Sequence, residues 1–240
     1  MRTSPAAPPL TRAGLLLGAR MIMPIVPGIV FFASAFGTAA AQKGMSLTET
    51  VLMSGLVYAG AAQLVGLELW TESWSLTSIL GVALLTFTIN ARLILQGASL
   101  QPWIGGLPGP VLWPSLFLLT DANWVLGERY RASGGRDAGV LIGAGATLWV
   151  FWVVGTIPGR LAGGFITRPE QFGIDLVMPI FFAAMIVPLW KGRRDAVIWS
   201  IAGAVALAAW ALLPGYAFIM AGALAGALAG ALLPETTDAD

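Results

Sequence analysis

Long apolar runs fill most of this chain, and very few charged residues interrupt them. The runs are continuous and rich in Leu, Ala and Val, whereas the strands of a membrane β-barrel alternate apolar and polar residues. A helix needs about 20 such residues to cross a bilayer. The pattern therefore predicts an all-α polytopic membrane protein with eight transmembrane helices, or seven in the alternative interpretation. The predicted spans are residues 16–40, 48–69, 76–98, 110–127, 138–160, 174–190, 195–213 and 216–233.

The composition agrees with this pattern and excludes several classes of function. Charged residues make up 10% of the chain, against about 25% in a soluble domain, and the mean hydropathy is +0.81. The net charge of +1 gives no electrostatic reason to expect a nucleic-acid partner, so the lipid bilayer is the expected environment. The absence of cysteine and histidine excludes disulfides, thiol chemistry and the usual haem and zinc ligands. We therefore expect no enzymatic activity, no cofactor and no metal.

Lysine and arginine residues near the span ends indicate the orientation, because cytoplasmic loops carry an excess of both. With the N-terminus inside, nine of them fall on the cytoplasmic side and three, Lys43, Arg160 and Arg168, fall outside. We therefore expect a plasma-membrane protein (bacterial inner membrane) with both termini in the cytoplasm. Residues 1–13 are expected to be a disordered cytoplasmic segment, residues 14–233 a single transmembrane domain and residues 234–240 an acidic cytoplasmic tail.

A short sequence echo suggests an internal repeat. Met23-Pro24-Ile25 opens the first span and Met178-Pro179-Ile180 opens the sixth, and Phe-Phe follows each tripeptide closely. The two spans run in opposite directions in the predicted topology. Inverted repeats whose helices are broken by Pro or Gly are typical of secondary transporters. An inverted repeat and a chance match between apolar segments are both open interpretations.

The first span contains Pro24, Pro27 and Gly28 near its start. A proline removes a backbone donor and leaves a carbonyl without its helical partner. In lipid that carbonyl must bind another helix, water or a substrate ammonium. The three residues are therefore candidates for substrate binding, and a kink that only serves packing is the alternative.

Two amides in the second and third spans are further candidates for substrate binding. Gln63 follows the small residues Gly60, Ala61 and Ala62, which permit close helix packing. Its side chain has two donors and an acceptor oxygen, which suit the carboxylate or the ammonium of an amino acid. A hydrogen bond that only fixes the packing of two helices is the alternative for Gln63. Asn90 is the second amide.

Arg92 carries the sharpest functional signal, because an arginine at the centre of a bilayer costs at least about 2.5–3.5 kcal/mol. A carboxylate must offset this cost, either from a bound substrate or from Asp121 in the fourth span. We therefore predict that Arg92 binds substrate and that Asp121 couples transport to protons. A purely structural ion pair between Arg92 and Asp121 is the alternative. Asn123 and Trp149 complete the predicted substrate-binding set.

The last two spans have their own packing signal. Gly222, Gly226 and Gly230 recur at every fourth residue, which is typical of a flat face for close contact within the chain or with a partner. Only Pro214-Gly215 separates the two spans, so they form either a tight helical hairpin or one long broken element.

A series of segments resembles the AzlC family, the large subunit of branched-chain amino-acid exporters. The segments, which occur in the order found in the family, are Pro24-Ile25-Val26-Pro27-Gly28 with Phe36-Gly37, Tyr58-Ala59-Gly60-Ala61-Ala62-Gln63, Asn90-Ala91-Arg92, Gly97-Ala98-Ser99-Leu100, Leu119-Thr120-Asp121, Trp149 with Gly155-Thr156, and Phe172-Gly173-Ile174-Asp175 with Phe181-Phe182. The resemblance implies a multi-pass plasma-membrane protein that exports branched-chain amino acids, and methionine in some members. It also implies a small AzlD-like membrane subunit as the partner.

Two positions depart from the family pattern. The family often has an acidic residue where this chain has Ala122, and a histidine where it has Leu93. Proton coupling would then depend on Asp121. The predicted mechanism is secondary export, in which Arg92 binds the substrate carboxylate while Gln63 and Asn90 bind its polar ends. A non-transporting membrane scaffold or assembly subunit is the alternative function.

Overall fold

The structure is a computed structural model that describes residues 7–70, 75–164, 183, 190, 192–213 and 217–233. All regular elements in these ranges are helices, which confirms the predicted all-α fold. A 3₁₀ turn, Met23–Ile25, joins the first two helices. The helices are α1 (Arg12–Ile22), α2 (Val26–Gln42), α3 (Leu47–Leu56), α4 (Gly60–Glu68), α5 (Leu76–Ile104), α6 (Gly109–Phe117), α7 (Asp121–Ala132), α8 (Gly139–Gly163), α9 (Arg193–Leu212) and α10 (Ala217–Leu232).

Four helical segments in the described ranges are long and apolar enough to cross a membrane. They are Arg12–Gln42, Ser78–Ile104, Gly139–Gly163 and Arg193–Leu212, and Ala221–Leu232 is apolar but shorter. The chain divides into two compact units, Met1–Val177 and Met178–Asp240.

Helix α8 is the helix against which much of the first unit packs. α1 lies along its first half and α2 along its second half, and both run parallel to it. A Cβ atom at Gly143 would overlap the Leu15 carbonyl, and one at Gly159 would overlap the Ser34 carbonyl. Thr38 adds a hydrogen bond from its hydroxyl to the Gly159 carbonyl at 3.1 Å. These glycines therefore allow the helix backbones to touch, as small residues do in membrane proteins.

Helices α3 and α4 form a helical hairpin, called hairpin 1, rather than one transmembrane helix. Met53 Cε lies 3.8 Å from the Cβ position of Gly66, whereas a continuous helix would separate these residues by about 20 Å. α3 begins beside the C-terminal part of α8, where Arg160 Nε donates to the Met45 carbonyl at 2.5 Å. Hairpin 1 therefore enters and leaves at the C-terminal end of α8.

Helices α6 and α7 form hairpin 2 at the opposite end of α8. α6 runs back along α5, so that Leu116 Cδ2 lies 3.7 Å from the Cβ position of Gly97. α7 then runs parallel to α5, and its Gly127 has a Cβ position 3.3 Å from the Trp103 ring. Trp103 Nε1 also donates to the Arg136 carbonyl, just before α8, at 2.9 Å. Both ends of hairpin 2 therefore lie where α5 ends and α8 begins.

The prediction that residues 48–69 and 110–127 are transmembrane helices is wrong, because each segment reverses direction at a short turn. The turns are residues 57–59 and 118–120, and neither contains proline or glycine. Packing against neighbouring helices stabilises such turns, since a membrane tolerates non-helical backbone where protein buries it. The predicted count of eight spans thus loses two members. The sixth predicted span, with the second copy of the Met-Pro-Ile echo, lies outside the described residues apart from positions 183 and 190.

The second unit contains a tight antiparallel pair, α9 and α10. Arg194 Nη2 donates to the Gly230 carbonyl at 2.6 Å, and the Cβ position of Gly222 lies 2.8 Å from Ala206 Cβ. The hairpin interpretation of these two helices is therefore confirmed. The glycine face that includes Gly226 packs against α9 within the chain.

Part of the N-terminal segment that the sequence predicts to be disordered is bound to the start of α8. The Ala138 N–H donates to the Pro9 carbonyl at 2.9 Å. Asp137 accepts hydrogen bonds from the N–H groups of Thr11 at 3.2 Å and Gly139 at 2.8 Å. Burial alone raises the pKa of the Asp137 carboxyl, but its hydrogen bonds outweigh this effect and hold the pKa below its ordinary value.

Candidate functional site

The turns of the two hairpins, called tip 1 and tip 2, meet inside the first unit. The ring of Tyr58 in tip 1 lies 6.2 Å, between centroids, from the ring of Phe117 at the end of α6. Both tips also contact α8. Trp152 lies against the first residue of α4, and the Leu118 carbonyl oxygen is 2.7 Å from the Cβ position of Gly145. Non-helical backbone at membrane depth is typical of binding sites and cavities, so this meeting point is the candidate site.

Tip 1 presents backbone donors that the helix itself does not use. Tyr58 has a φ of 44°, which turns the chain sharply, and α4 starts at Gly60. No described side chain caps α4, and its first helical hydrogen bond runs from the Gln63 N–H to the Ala59 carbonyl at 2.8 Å. The N–H groups of the three residues before Gln63 therefore have no acceptor within the helix. Together with the helix dipole, they favour a negatively charged group.

Gln63 is fully buried in the first turn of α4. Its Oε1 accepts a hydrogen bond from Trp152 Nε1 at 3.1 Å, whereas its Nε2 has no partner among the described residues. The Trp152 ring packs against Phe32 and Phe36, with centroid distances of 5.3 and 6.3 Å. A buried donor without a partner costs about 1–3 kcal/mol. Gln63 Nε2 is therefore a candidate donor to a ligand.

Tip 2 is, by contrast, tied together by the side chain of Asn123. Asn123 Oδ1 accepts hydrogen bonds from the Thr120 N–H at 2.6 Å and the Thr120 hydroxyl at 2.9 Å. Asn123 Nδ2 donates to the carbonyls of Leu118 at 3.0 Å and Leu141 at 3.4 Å. Both donors and the acceptor oxygen of this amide are occupied by protein groups. Asn123 therefore holds the turn, and its predicted contact with substrate stays a prediction.

Arg92 and Asp121 form a bidentate ion pair beside tip 2. Arg92 Nε lies 3.0 Å from Asp121 Oδ1, and Nη2 lies 2.9 Å from Oδ2. Gln96 donates from Nε2 to the same Oδ1 at 2.7 Å, while its buried Oε1 has no partner among the described residues. The side chains of Arg92 and Asp121 are 38% and 31% exposed, so the protein covers the pair only in part.

Four of the other predicted residues lie apart from these groups. Asn90 is half-buried, and the two-residue offset from Arg92 places it about 200° away around α5. Pro24, Pro27 and Gly28 are exposed, and a side chain at Gly28 would meet no described atom within 4 Å. Their roles in substrate binding stay predictions.

The sequence reasoning did not identify Gln96 or Trp152. Gln96 follows Arg92 by four residues, a spacing that places both side chains on one helix face and could have revealed it. Nothing in the sequence distinguishes Trp152 from Trp149, the tryptophan that was predicted. Trp149 donates from Nε1 to the Gly55 carbonyl at 3.0 Å and so satisfies the end of α3.

The all-helical fold and its apolar segments define the chain as a polytopic membrane protein. Residues 24–166, which contain both hairpins and α8, match the family model described as "AzlC protein". The chain therefore belongs to the AzlC family.

Similar proteins occur in bacteria and archaea. The chain is 27% identical over 204 residues to "Inner membrane protein YgaZ" of Escherichia coli (strain K12), covering 81% of each chain. It is 30% identical over 199 residues to an uncharacterized membrane protein of Archaeoglobus fulgidus, covering 82% of this chain and 83% of the relative. It is 22% identical over 173 residues to "Branched-chain amino acid transport protein AzlC" of Bacillus subtilis (strain 168), covering 72% of this chain and 66% of the relative. No solved structure matches the chain.

Proposed function

We propose that this protein is a secondary transporter that exports branched-chain amino acids, with methionine as a further substrate. The observation that carries the proposal is the unused donor set at tip 1, formed by the start of α4 and the buried Nε2 of Gln63. A carboxylate is the ligand that such donors suit. Membership of the AzlC family and the likeness to a branched-chain amino acid transport protein support the substrate class.

The two facing tips allow an amino acid to be held at both of its charged ends. The carboxylate binds at the start of α4, and the ammonium binds the carboxylate of Asp121. The contact between Tyr58 and Phe117 supports this arrangement, because it brings the tips side by side. Arg92 then balances the charge of Asp121 in the empty transporter, instead of binding the substrate carboxylate as the sequence suggested.

Asp121 couples transport to protons through competition. Either a proton or a substrate ammonium can neutralise its carboxylate, but not both at the same time. A carrier that binds the two in turn exchanges one for the other, so inward proton movement drives outward amino-acid movement. The half-exposed side chain of Asp121 is consistent with access for both.

The orientation and the partner belong to the same proposal. The protein lies in the plasma membrane with both termini in the cytoplasm, and a small AzlD-like membrane subunit completes the transporter. When hairpins replace two of the predicted spans, only residues 70–75 and 99–109 move to the other side of the membrane in the predicted topology. Neither segment contains lysine or arginine. The excess of positive residues on the cytoplasmic side is therefore unaffected.

Uptake into inside-out vesicles tests the proposal. Labelled leucine, valine and methionine are supplied with and without an acid-interior gradient, and with and without the small subunit. We expect gradient-driven accumulation that Asp121→Asn abolishes. Glu49→Gln, the same kind of change at an exposed carboxylate in the first turn of α3, is the matched control and should transport normally. Normal accumulation by Asp121→Asn would refute the coupling role.

A non-transporting scaffold is the second candidate, which the complete bidentate geometry of the Arg92–Asp121 pair favours. The double variant Arg92→Asp with Asp121→Arg restores the attraction but moves the carboxylate to α5. A scaffold exports nothing even as the wild type, whereas the transporter proposal predicts export by the wild type and a double variant that folds without exporting. If the double variant both folds and exports, the ion pair has only a structural role.

A further inference from the structure

A row of polar side chains continues from Asp121 along the interface between α5 and α7. α5 contributes Gln96 and Ser99, which are three residues apart. α7 contributes Trp124 and Glu128, at three and seven residues after Asp121. These spacings place each set on one helix face, and α5 and α7 run parallel, so the two faces meet along their length. The row extends about 10 Å along α7, from Asp121 to Glu128.

Hydrogen bonds connect the part of the row beyond Asp121. Trp124 Nε1 donates to Ser99 Oγ at 2.8 Å, and Ser99 Oγ lies 2.8 Å from the Gln96 carbonyl and 3.4 Å from Glu128 Oε1. Glu128 Oε1 also lies 3.4 Å from Nη1 of Arg131. The Ser99 hydroxyl is therefore in contact with Glu128, and a hydroxyl can both accept and donate a proton.

The row ends at a cavity of about 510 Å³ between the ends of α5 and α7. Glu128, Arg131, Trp103 and Arg136 contribute to its lining. The side chain of Glu128 is 34% exposed, so its carboxylate is accessible to water in this cavity. The polar row therefore leads from the carboxylate at tip 2 to this cavity at the base of hairpin 2.

We propose that Glu128 is the carboxylate that passes the coupling proton between Asp121 and water on the side where hairpin 2 enters. The inference rests on the proposed function, because it gives the proton on Asp121 a route out. The O–H bond on Asp121 breaks, and Asp121 returns to its ion pair with Arg92. An O–H bond forms on Glu128 through the Ser99 hydroxyl and water along the half-exposed row, and Glu128 then releases the proton to water in the cavity.

The charges along the row suit this transfer. Each carboxylate has one cation beside it, Arg92 at Asp121 and Arg131 at Glu128. The ionised form of either carboxylate is therefore balanced, and the row holds one mobile proton without accumulating negative charge. Polar groups at membrane depth are costly unless they serve such a path or a pocket, whereas a lipid-facing helix would carry apolar residues at these positions.

The test compares Glu128→Gln, Ser99→Ala and the control Glu49→Gln in vesicles that also hold the small subunit. Two activities of labelled leucine are measured, accumulation driven by a proton gradient and leucine–leucine counterflow without a gradient. Counterflow needs no net proton release, because the carrier returns with substrate bound. Glutamine keeps the shape and the acceptor oxygen of Glu128, so Glu128→Gln should fold. Glu128→Asp, which keeps a carboxylate, is the second variant.

We expect Glu128→Gln to lower gradient-driven accumulation at least about tenfold and to leave counterflow unchanged. Ser99→Ala should show a smaller loss of the same kind, and Glu128→Asp should recover most of the activity. Equal accumulation by Glu128→Gln and Glu49→Gln would overturn the inference while the transport function stands. Loss of counterflow together with accumulation would also overturn it, because Glu128 would then serve binding or folding. Absence of both activities in the wild type would refute the proposed function, and this inference with it.

Discussion

The two hairpin tips reach the same point in the molecule but satisfy their backbones in different ways. At tip 2, both the oxygen and the nitrogen of the Asn123 amide are hydrogen-bonded, the oxygen to Thr120 and the nitrogen to the carbonyls of Leu118 in the turn and Leu141 in α8. At tip 1, no described side chain caps α4, and the buried amide of Gln63 uses only its oxygen. Both amides are buried in the first turn of their helices. The side chain of Asn123 has partners for its oxygen and its nitrogen, whereas Nε2 of Gln63 has none among the described residues.

This difference in hydrogen bonding suggests that the two tips have different functions. A turn that is satisfied by the chain itself is rigid and can hold an ionisable group such as Asp121 in a fixed position. A turn with donors left over is completed by a ligand, and in a membrane that ligand must bring its own acceptors. In the proposed mechanism, tip 2 positions the coupling carboxylate and tip 1 binds the substrate.

The largest expected effect on stability comes from Asn123→Ala. The substitution leaves the Leu118 carbonyl and the Thr120 N–H without their side-chain partner, at about 1–3 kcal/mol for each group, whereas the Leu141 carbonyl keeps its place in α8. We expect the free energy of unfolding in detergent to fall by at least about 2 kcal/mol. Thermal unfolding of the purified protein measures this, with Asn90→Ala as the control at a half-buried amide. Equal melting temperatures for the two variants would contradict the structural role of Asn123.

Gly145→Ala should disturb tip 2 less strongly. The new Cβ would lie 2.6 Å from Asn123 Nδ2 and 2.7 Å from the Leu118 carbonyl oxygen, so the turn must shift. Such overpacking typically costs about 1–3 kcal/mol. The same unfolding experiment checks the value, and Gly203→Ala is the control, because a Cβ at Gly203 meets no described atom within 4 Å. A variant as stable as this control would show that α8 does not support the turn.

Gln63→Leu should have the smallest effect on stability, although Gln63 is as buried as Asn123. The change leaves the buried Trp152 Nε1–H without its acceptor, at about 1–3 kcal/mol, but it also removes a buried donor that has no partner, which recovers a cost of similar size. The two effects oppose each other, so the melting temperature should stay close to that of the wild type. A destabilisation comparable with that of Asn123→Ala would mean that both tips are structural turns.

The sequence predicted more of the chemistry than of the topology. The juxtaposition of Arg92 and Asp121 could be anticipated, because an intramembrane arginine requires a carboxylate and the chain offers few. The two hairpins could not be anticipated, since apolar composition is the same for a spanning helix and for a hairpin that turns back inside protein. Their turns depend on contacts with distant residues of α8, and no proline or glycine marks them.

One local signal at tip 2 was nevertheless present. Thr120 followed by Asn123 has the spacing of a helix N-terminal cap, and α7 does begin between them, at Asp121. Tip 1 has no comparable signal, because Ala59 precedes α4 and cannot cap it. The absence of a cap can be recognised only once the helix start is known, which is why the unused donors at tip 1 required the structure.

The most direct test of the account is equilibrium binding of labelled leucine to the purified transporter with its small subunit. If Gln63 Nε2 donates to the substrate carboxylate, Gln63→Leu should raise the Kd by about tenfold or more, because a hydrogen bond to a charged group contributes about 1.5–3 kcal/mol. The melting temperature of the same sample should remain near that of the wild type. An unchanged Kd in the folded variant would contradict the claim that tip 1 binds the substrate.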